Sequence, residues 1–257
     1  MTTRVVFNQK GGVGKSTIAC NLAAVAASEG RRTLVIDLDP QANATRYLRG
    51  KGNGSEPAGI ADFYQDMLGF SFYRKGLADY VQPTRFEHLD LLGSAPELDE
   101  LAVKLETRYK MFKLREALAE LEGYDTVWID TPPALNFFSR SALIAAERCL
   151  IPFDCDDFSR QALYALLGAV DEIRADHNDA LAVEGIVVNQ FQPRARLPRQ
   201  LVDELIGEGL PVLPAFLSSS VRIRESHERA RPMVHLDRRH KLTTEFLALH
   251  QVLQGAA

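Results

Sequence analysis

The chain has 257 residues, 46% of them hydrophobic and 25% charged, and a net charge of −4. This composition supports a globular core without disulfides, and the acidic balance argues against a general nucleic-acid coat. The three cysteines, Cys20, Cys149 and Cys155, form neither a CxxC pair nor a zinc quartet, so packed free thiols in a reducing cytoplasm are expected.

In chain order, Arg4–Asn8 reads as a strand that runs into the glycine-rich stretch NQKGGVGKST, residues 8 to 17. Its apolar part, Val5-Val6-Phe7, is too short for a signal-peptide core. The following stretch, Ser16–Ser28, places Ile18, Leu22 and Val25 at helical spacing and is too short to span a bilayer. Further strands are expected at Thr33–Asp37, Leu89–Leu92, Thr126–Asp130, Cys149–Phe153, Gly185–Asn189 and Pro211–Pro214. Helical spacing recurs in Met111–Leu121, Ser159–Ile173 and Leu197–Ile206. Arg49–Gly59, rich in glycine, reads as a surface loop. The C-terminal stretch carries Leu242, Phe246, Leu249 and Leu253 on one face with Lys241 as its only Lys or Arg, which suits a core-packing helix better than a membrane anchor. Strand–helix alternation, with several strands apolar on both faces, predicts an α/β fold: one doubly wound domain over residues 1–257, a mostly parallel sheet with helices on both faces. Ligands of such sheets bind beyond the carboxyl ends of the strands.

Gly11, Gly12 and Gly14 let backbone N–H groups converge on an anion at a helix N-terminus. Lys15 would neutralise β/γ-phosphates and the Ser16 hydroxyl would ligate Mg²⁺. Gln9 stands where the GxxxxGK[ST] pattern has its first glycine. The run KGGVGKST resembles the deviant Walker A motif of the ParA/MinD family of P-loop ATPases, whose additional lysine matches Lys10. TLVIDLDPQANAT (residues 33–45) and YDTVWIDTPPALNFFSRSAL (residues 124–143) resemble that family's next two motifs, and the likeness covers nearly the whole chain.

The resemblance implies ATP and Mg²⁺ as cofactors, with ATP held by Lys10, Gly11, Gly12, Val13, Gly14, Lys15, Ser16 and Thr17. It implies catalytic roles for Lys10, Lys15 and Asp39, the last on the attacking water, and magnesium held by Ser16 and, through water, by Asp130. Lys10 would act across a face-to-face ATP-bound homodimer on the partner's phosphates. Asn189, ending its strand, offers a donor and an acceptor that complement adenine and is assigned to the base. Asp37 is open between a capping role and a functional one.

Within the family, the sequence favours the ParA class, which binds DNA without sequence preference and is released when a ParB-like or other partner stimulates hydrolysis. Arg194, Arg196 and Arg199 lie in QPRARLPRQ, and Arg222 and Arg224 in VRIRES, where the resemblance places DNA contacts. Residues 221–241 hold seven basic residues against three acidic ones. The expectation is a cytoplasmic, nucleoid-associated ATPase with no membrane partner, positioning a chromosome, plasmid or protein cargo. The rival is a MinD-like ATPase acting on membrane or a polar scaffold; an ATP-dependent ligase of the dethiobiotin synthetase type lacks a substrate-pocket motif here. Where the family has Pro-Arg after the last strand, this chain has Ser218-Ser219.

Overall fold

The computed structural model describes residues 1–50, 57–69, 75–155, 159–192 and 194–255. Seven strands form one sheet: β1 (Thr2–Val6), β2 (Thr33–Asp37), β3 (Gln82–Pro83), β4 (Leu89–Leu92), β5 (Thr126–Asp130), β6 (Arg148–Asp154) and β7 (Ala182–Asn189). Their order is β3-β4-β2-β5-β1-β6-β7, and every pairing is parallel except β3 with β4. β2 and β5 are buried at every residue, as expected of central strands covered on both faces.

The helices are α1 (Lys15–Ser28), α2 (Asn43–Arg49), α3 (Ile60–Leu68), α4 (Glu97–Thr107), α5 (Lys113–Ala119), α6 (Phe137–Ala145), α7 (Ser159–Asp176), α8 (Arg196–Gly207), α9 (Arg222–Glu228), α10 (Met233–Leu236) and α11 (Lys241–Gly255). Two apolar clusters sandwich the sheet. One joins Val5, Ile36 and Ile129 to side chains of α3 to α8, and the other joins Val6, Val35 and Trp128 to α1, α2, α10 and α11. α1 is buried continuously from Ile18 to Ala27 because it lies between the sheet and α11; its alanines permit that close approach on both sides. Leu242, Phe246, Leu249 and Leu253 of α11 are all buried against it, so the C-terminal stretch is the core-packing helix expected. Among the described residues no helix is long and apolar enough to cross a membrane.

Three expectations need correction. Pro211–Pro214 is not a strand: Val212 makes an isolated parallel bridge to Ile186, and the prolines on either side lack the N–H groups that would extend a ladder. β1 starts and ends two residues earlier than expected, leaving Asn8 to shape the loop beyond it. Met111–Leu121 contracts to α5. Periodicity also missed β3 and the helices α2, α3, α4, α6, α9 and α10, most of them too short to display a period. Of the predicted loop at 49–59, residues 51–56 lie outside the described residues, and α3 begins directly after it.

Candidate nucleotide site at the carboxyl rim

The loop between β1 and α1 is set by a few polar contacts and two left-handed glycines. Asn8 donates from Nδ2 to the Pro152 carbonyl (2.7 Å), and its Oδ1 accepts the Lys10 N–H (2.9 Å), which fixes how the chain leaves β1. Gly12 and Gly14 have φ of 78° and 90°. At Gly14 a Cβ would also lie 2.4 Å from Asn189 Nδ2. The close approach lets Asn189 donate to the Val13 carbonyl (2.9 Å), so the end of β7 is pinned to the loop. α1 starts at Lys15 with no side-chain cap and no acidic residue in its first turn, leaving its N–H groups and dipole to an anion.

Lys15 is 7% exposed, and its Nζ donates to the Lys10 carbonyl (3.0 Å). Burial lowers its pKa, while Asp130 and Asp39 oppose that shift. β2 and β5 bring Asp37 and Asp130 side by side as register partners, and β1 sets Val6 opposite Asp130. The two fully buried carboxylates differ sharply. Asp37 accepts from Thr45 N (2.8 Å), Thr45 Oγ1 (2.7 Å) and Asp39 N (3.1 Å), which ties the Asp39 turn and α2 to the sheet. Burial outweighs those bonds and raises Asp37 to about 6. Neither oxygen of Asp130 has a hydrogen bond of normal geometry, although the Ser16 hydroxyl lies near enough to favour its anion. Burial and the neighbouring Asp37 push Asp130 well above the usual carboxylate range.

An orphaned buried carboxylate is costly unless something completes it. Asp130 beside Ser16 and Lys15 suits a divalent cation that takes one or two protein oxygens and draws the rest from phosphates and water. Among the described residues no cluster of three or more His, Cys, Asp or Glu could hold a metal. Asp39, 6% exposed, accepts the Gln41 N–H (2.9 Å) and lines a cavity of about 320 Å³ together with Gly11, Lys15, Ser16, Asn43 and Pro133. Lys10 sits partly exposed at the mouth of the loop and is not among the lining residues described for this cavity.

Asn189 and Arg224 line a second cavity, about 290 Å³, with Gln190, Ser219, Ile223 and Phe246. Ser218 is held by Glu245 through its N–H (2.7 Å) and hydroxyl (2.6 Å), so the first of the two serines at 218–219 is anchored to α11. The expected DNA arginines divide into two groups. Arg194, Arg196 and Arg199 are exposed and share one open concavity on α8 with Asp203 and Glu204, where Glu204 is paired with Arg160 (2.9 Å). Arg222 is engaged with Glu225 and Asp237. The sequence reading assigned no site role to Gln41, Asn43, Pro133 or His227, all of which line the phosphate-side cavity. Gln41, Asn43 and Pro133 lie within the two motif stretches at 33–45 and 124–143, whereas His227 lies in none, so only its approach in space reveals it.

A seven-stranded, mostly parallel sheet, a glycine loop following the interior strand β1 and a carboxylate left without a normal hydrogen bond on the neighbouring strand β5 define a phosphate-loop nucleoside triphosphatase. Residues 1–183 match the family model described as AAA domain. The chain is 34% identical over 252 residues to the chromosome partitioning protein ParA of Myxococcus xanthus, covering 96% of this chain and 86% of that protein. It is 30% identical over 247 residues to the sporulation initiation inhibitor protein Soj of Bacillus subtilis, covering 95% and 94%. Cobyrinic acid a,c-diamide synthase from Mycobacterium smegmatis, solved with an ATP analog and magnesium, has the same fold: TM-score 0.85, 23% identity, 99% and 94% coverage. The chain belongs to the ParA/Soj family of AAA-domain ATPases, which act in partition or positioning.

Proposed function

We propose that this ATPase is a nucleotide-gated homodimer that binds DNA without sequence preference in its ATP state and lets go on hydrolysis, positioning a DNA or protein cargo over the nucleoid. A ParB-like or other partner sets the time of release. The observation that carries this reading is the path from loop to surface. Asn189 touches the phosphate loop at the end of β7, and the chain from there runs directly into the exposed arginines Arg194, Arg196 and Arg199. Phosphate contacts need accessible positive charge on one surface, which these three provide.

In the proposed mechanism the α1 N-terminus and Lys15 hold the β/γ-phosphates. Magnesium, when bound, neutralises developing charge on the phosphates; Ser16 and, through water, Asp130 are the residues that would hold it. Asp39, held by the turn around Gln41, orients the attacking water, and Asn189 reads the base. Lys10, at the mouth of the loop, serves the partner subunit's ATP, which makes hydrolysis conditional on dimerisation.

The test is cosedimentation with plasmid DNA or with anionic liposomes, with and without ATP, at two salt concentrations. ATP-dependent, salt-sensitive pelleting with DNA supports the reading. Pelleting with liposomes instead would move the protein to the MinD-like class, against the burial of the apolar face of α11.

A further inference from the structure

The two cavities at the rim meet. Both are bordered by Gly12, Gly14, Thr17 and His227, and His227 is the one described residue from outside the phosphate loop and α1 that borders both. A nucleotide with its β/γ-phosphates on Gly11–Ser16 and its base near Asn189 has to pass from one cavity to the other at this point. The part of the molecule that lies there is the junction of α-phosphate and ribose.

The His227 ring is held by a built platform. It stacks on Tyr47, with centroids 4.0 Å apart and planes at 20°, and its Nε2 lies 2.9 Å from Thr17 Oγ1. Tyr47 is buried, and its hydroxyl accepts from Asn21 Nδ2 (3.1 Å) and meets the Ser226 hydroxyl. Ser226 in turn donates to the Arg231 carbonyl. Three elements, α1, α2 and α9, therefore converge to aim one imidazole at one threonine. The outer side of the ring remains open to the cleft.

We propose that His227 is a positioning residue for the nucleotide. It donates Nε2–H to Thr17 Oγ1, so the threonine hydroxyl proton is left to donate to an oxygen at the α-phosphate–ribose junction. Partial burial lowers the pKa of His227, which keeps the ring neutral and able to take this tautomer. The contact falls on the part of the molecule that ATP and ADP share, so it contributes to binding both and leaves the chemical step alone.

The inference rests on the phosphate-loop reading, and the experiment separates the two. ATP and ADP are titrated against wild type, Lys15→Ala, His227→Phe, His227→Gln and Thr17→Val, with melting temperatures measured alongside to confirm folding. His227→Phe keeps a ring on Tyr47 but has no donor to orient Thr17; it should weaken ATP and ADP alike by about tenfold, the effect of losing the bond from the Thr17 hydroxyl to the charged nucleotide. Its turnover at saturating ATP should stay within about twofold of wild type. His227→Gln keeps a donor and should recover most of the affinity. Thr17→Val should match His227→Phe, and the double variant should be no worse than either single one. Unchanged affinity in His227→Phe, a loss confined to ATP, or a fall in turnover at unchanged affinity overturns the proposal. If His227→Phe fails to fold, Thr17→Val and His227→Gln decide it by the same comparison. Near-native ATP binding by Lys15→Ala overturns the phosphate-loop reading itself, whatever the His227 variants do.

Discussion

Lys15, Asp37, Asp39 and Asp130 are each nine-tenths or more buried, whereas Arg194, Arg196 and Arg199 stand in solvent a short way along the same rim. The buried set is tightly constrained. Asp37 has three hydrogen bonds and Asp130 none of normal geometry, and the pKa values of Asp37, Asp130 and Lys15 all move by burial. The arginines have no such constraint, and the phosphate contacts proposed for them ask only for positive charge within reach. A site that does chemistry announces itself through strain, desolvation and orphaned groups; a surface that binds a polyanion does not.

The comparison breaks first at Lys15. Lys15→Ala removes the one buried cation among three carboxylates and should weaken ATP binding by at least about a hundredfold in an equilibrium titration. Near-native affinity would mean that the buried charges are merely structural.

The next effect is on turnover. Asp39→Ala should bind ATP but lose hydrolysis by about 10² to 10⁴, and accumulate as a dimer by light scattering. Lys10→Ala should be inactive as well. An ATP-loaded mixture of the two should form heterodimers in which one site keeps Asp39 and Lys15 from one subunit and Lys10 from the other. Recovery of part of the turnover supports Lys10 acting in trans. Crosslinked heterodimers without activity would place it in cis.

On the exposed side, changing Arg194, Arg196 and Arg199 together to Glu should weaken ATP-dependent DNA binding and lower the salt slope by about one for each phosphate no longer neutralised. Arg222→Glu should do less to binding, because Arg222 is already engaged with Glu225 and Asp237, and it should slightly lower the melting temperature. A larger DNA effect from Arg222 than from the triple variant at 194, 196 and 199 would move the surface to α9. ATPase activity without DNA should be unchanged in all of them.

The smallest effect is on the stability of the nucleotide-free protein. Asp37 rises from 3.8 to about 6 in the folded state, and Asp130 is shifted in the same direction. A carboxyl whose folded pKa is raised binds its proton more tightly when folded, so stability falls as pH climbs from about 4 through about 6. The melting temperature should therefore be a few degrees higher near pH 5 than at pH 7.5. Asp130→Asn removes one buried charge; it should raise the value at pH 7.5, narrow the difference and weaken Mg²⁺-dependent ATP binding. Equal melting temperatures for Asp130→Asn and wild type at pH 7.5 would mean that Asp130 is compensated after all.

Much of the site was legible beforehand because it is local in the chain. Gly11 to Ser16 form a loop whose chemistry lies in consecutive residues, and Asp39 and Asp130 stand at or just past the ends of strands whose apolar runs are unmistakable. The doubly wound class followed from strands apolar on both faces. Less could be read where the deciding partner is distant or the element short: Pro211–Pro214 looked like a strand by composition, yet its prolines allow only a single bridge to Ile186.

Only the tertiary structure could separate Asp37 from Asp130. Both are aspartates at strand ends, but Thr45 reaches one of them and neither oxygen of the other is met with normal geometry. It also brings His227 to Thr17 across 210 residues and sets a ring on Tyr47 that no periodicity foreshadows. The sequence by itself determined the phosphate loop, the parallel sheet and the positions of the carboxylates, because consecutive residues and short-range hydrophobic patterns encode them. Which of those groups are desolvated, which are satisfied and which meet across the rim was decided by packing, since burial and hydrogen bonding depend on neighbours far away in the chain.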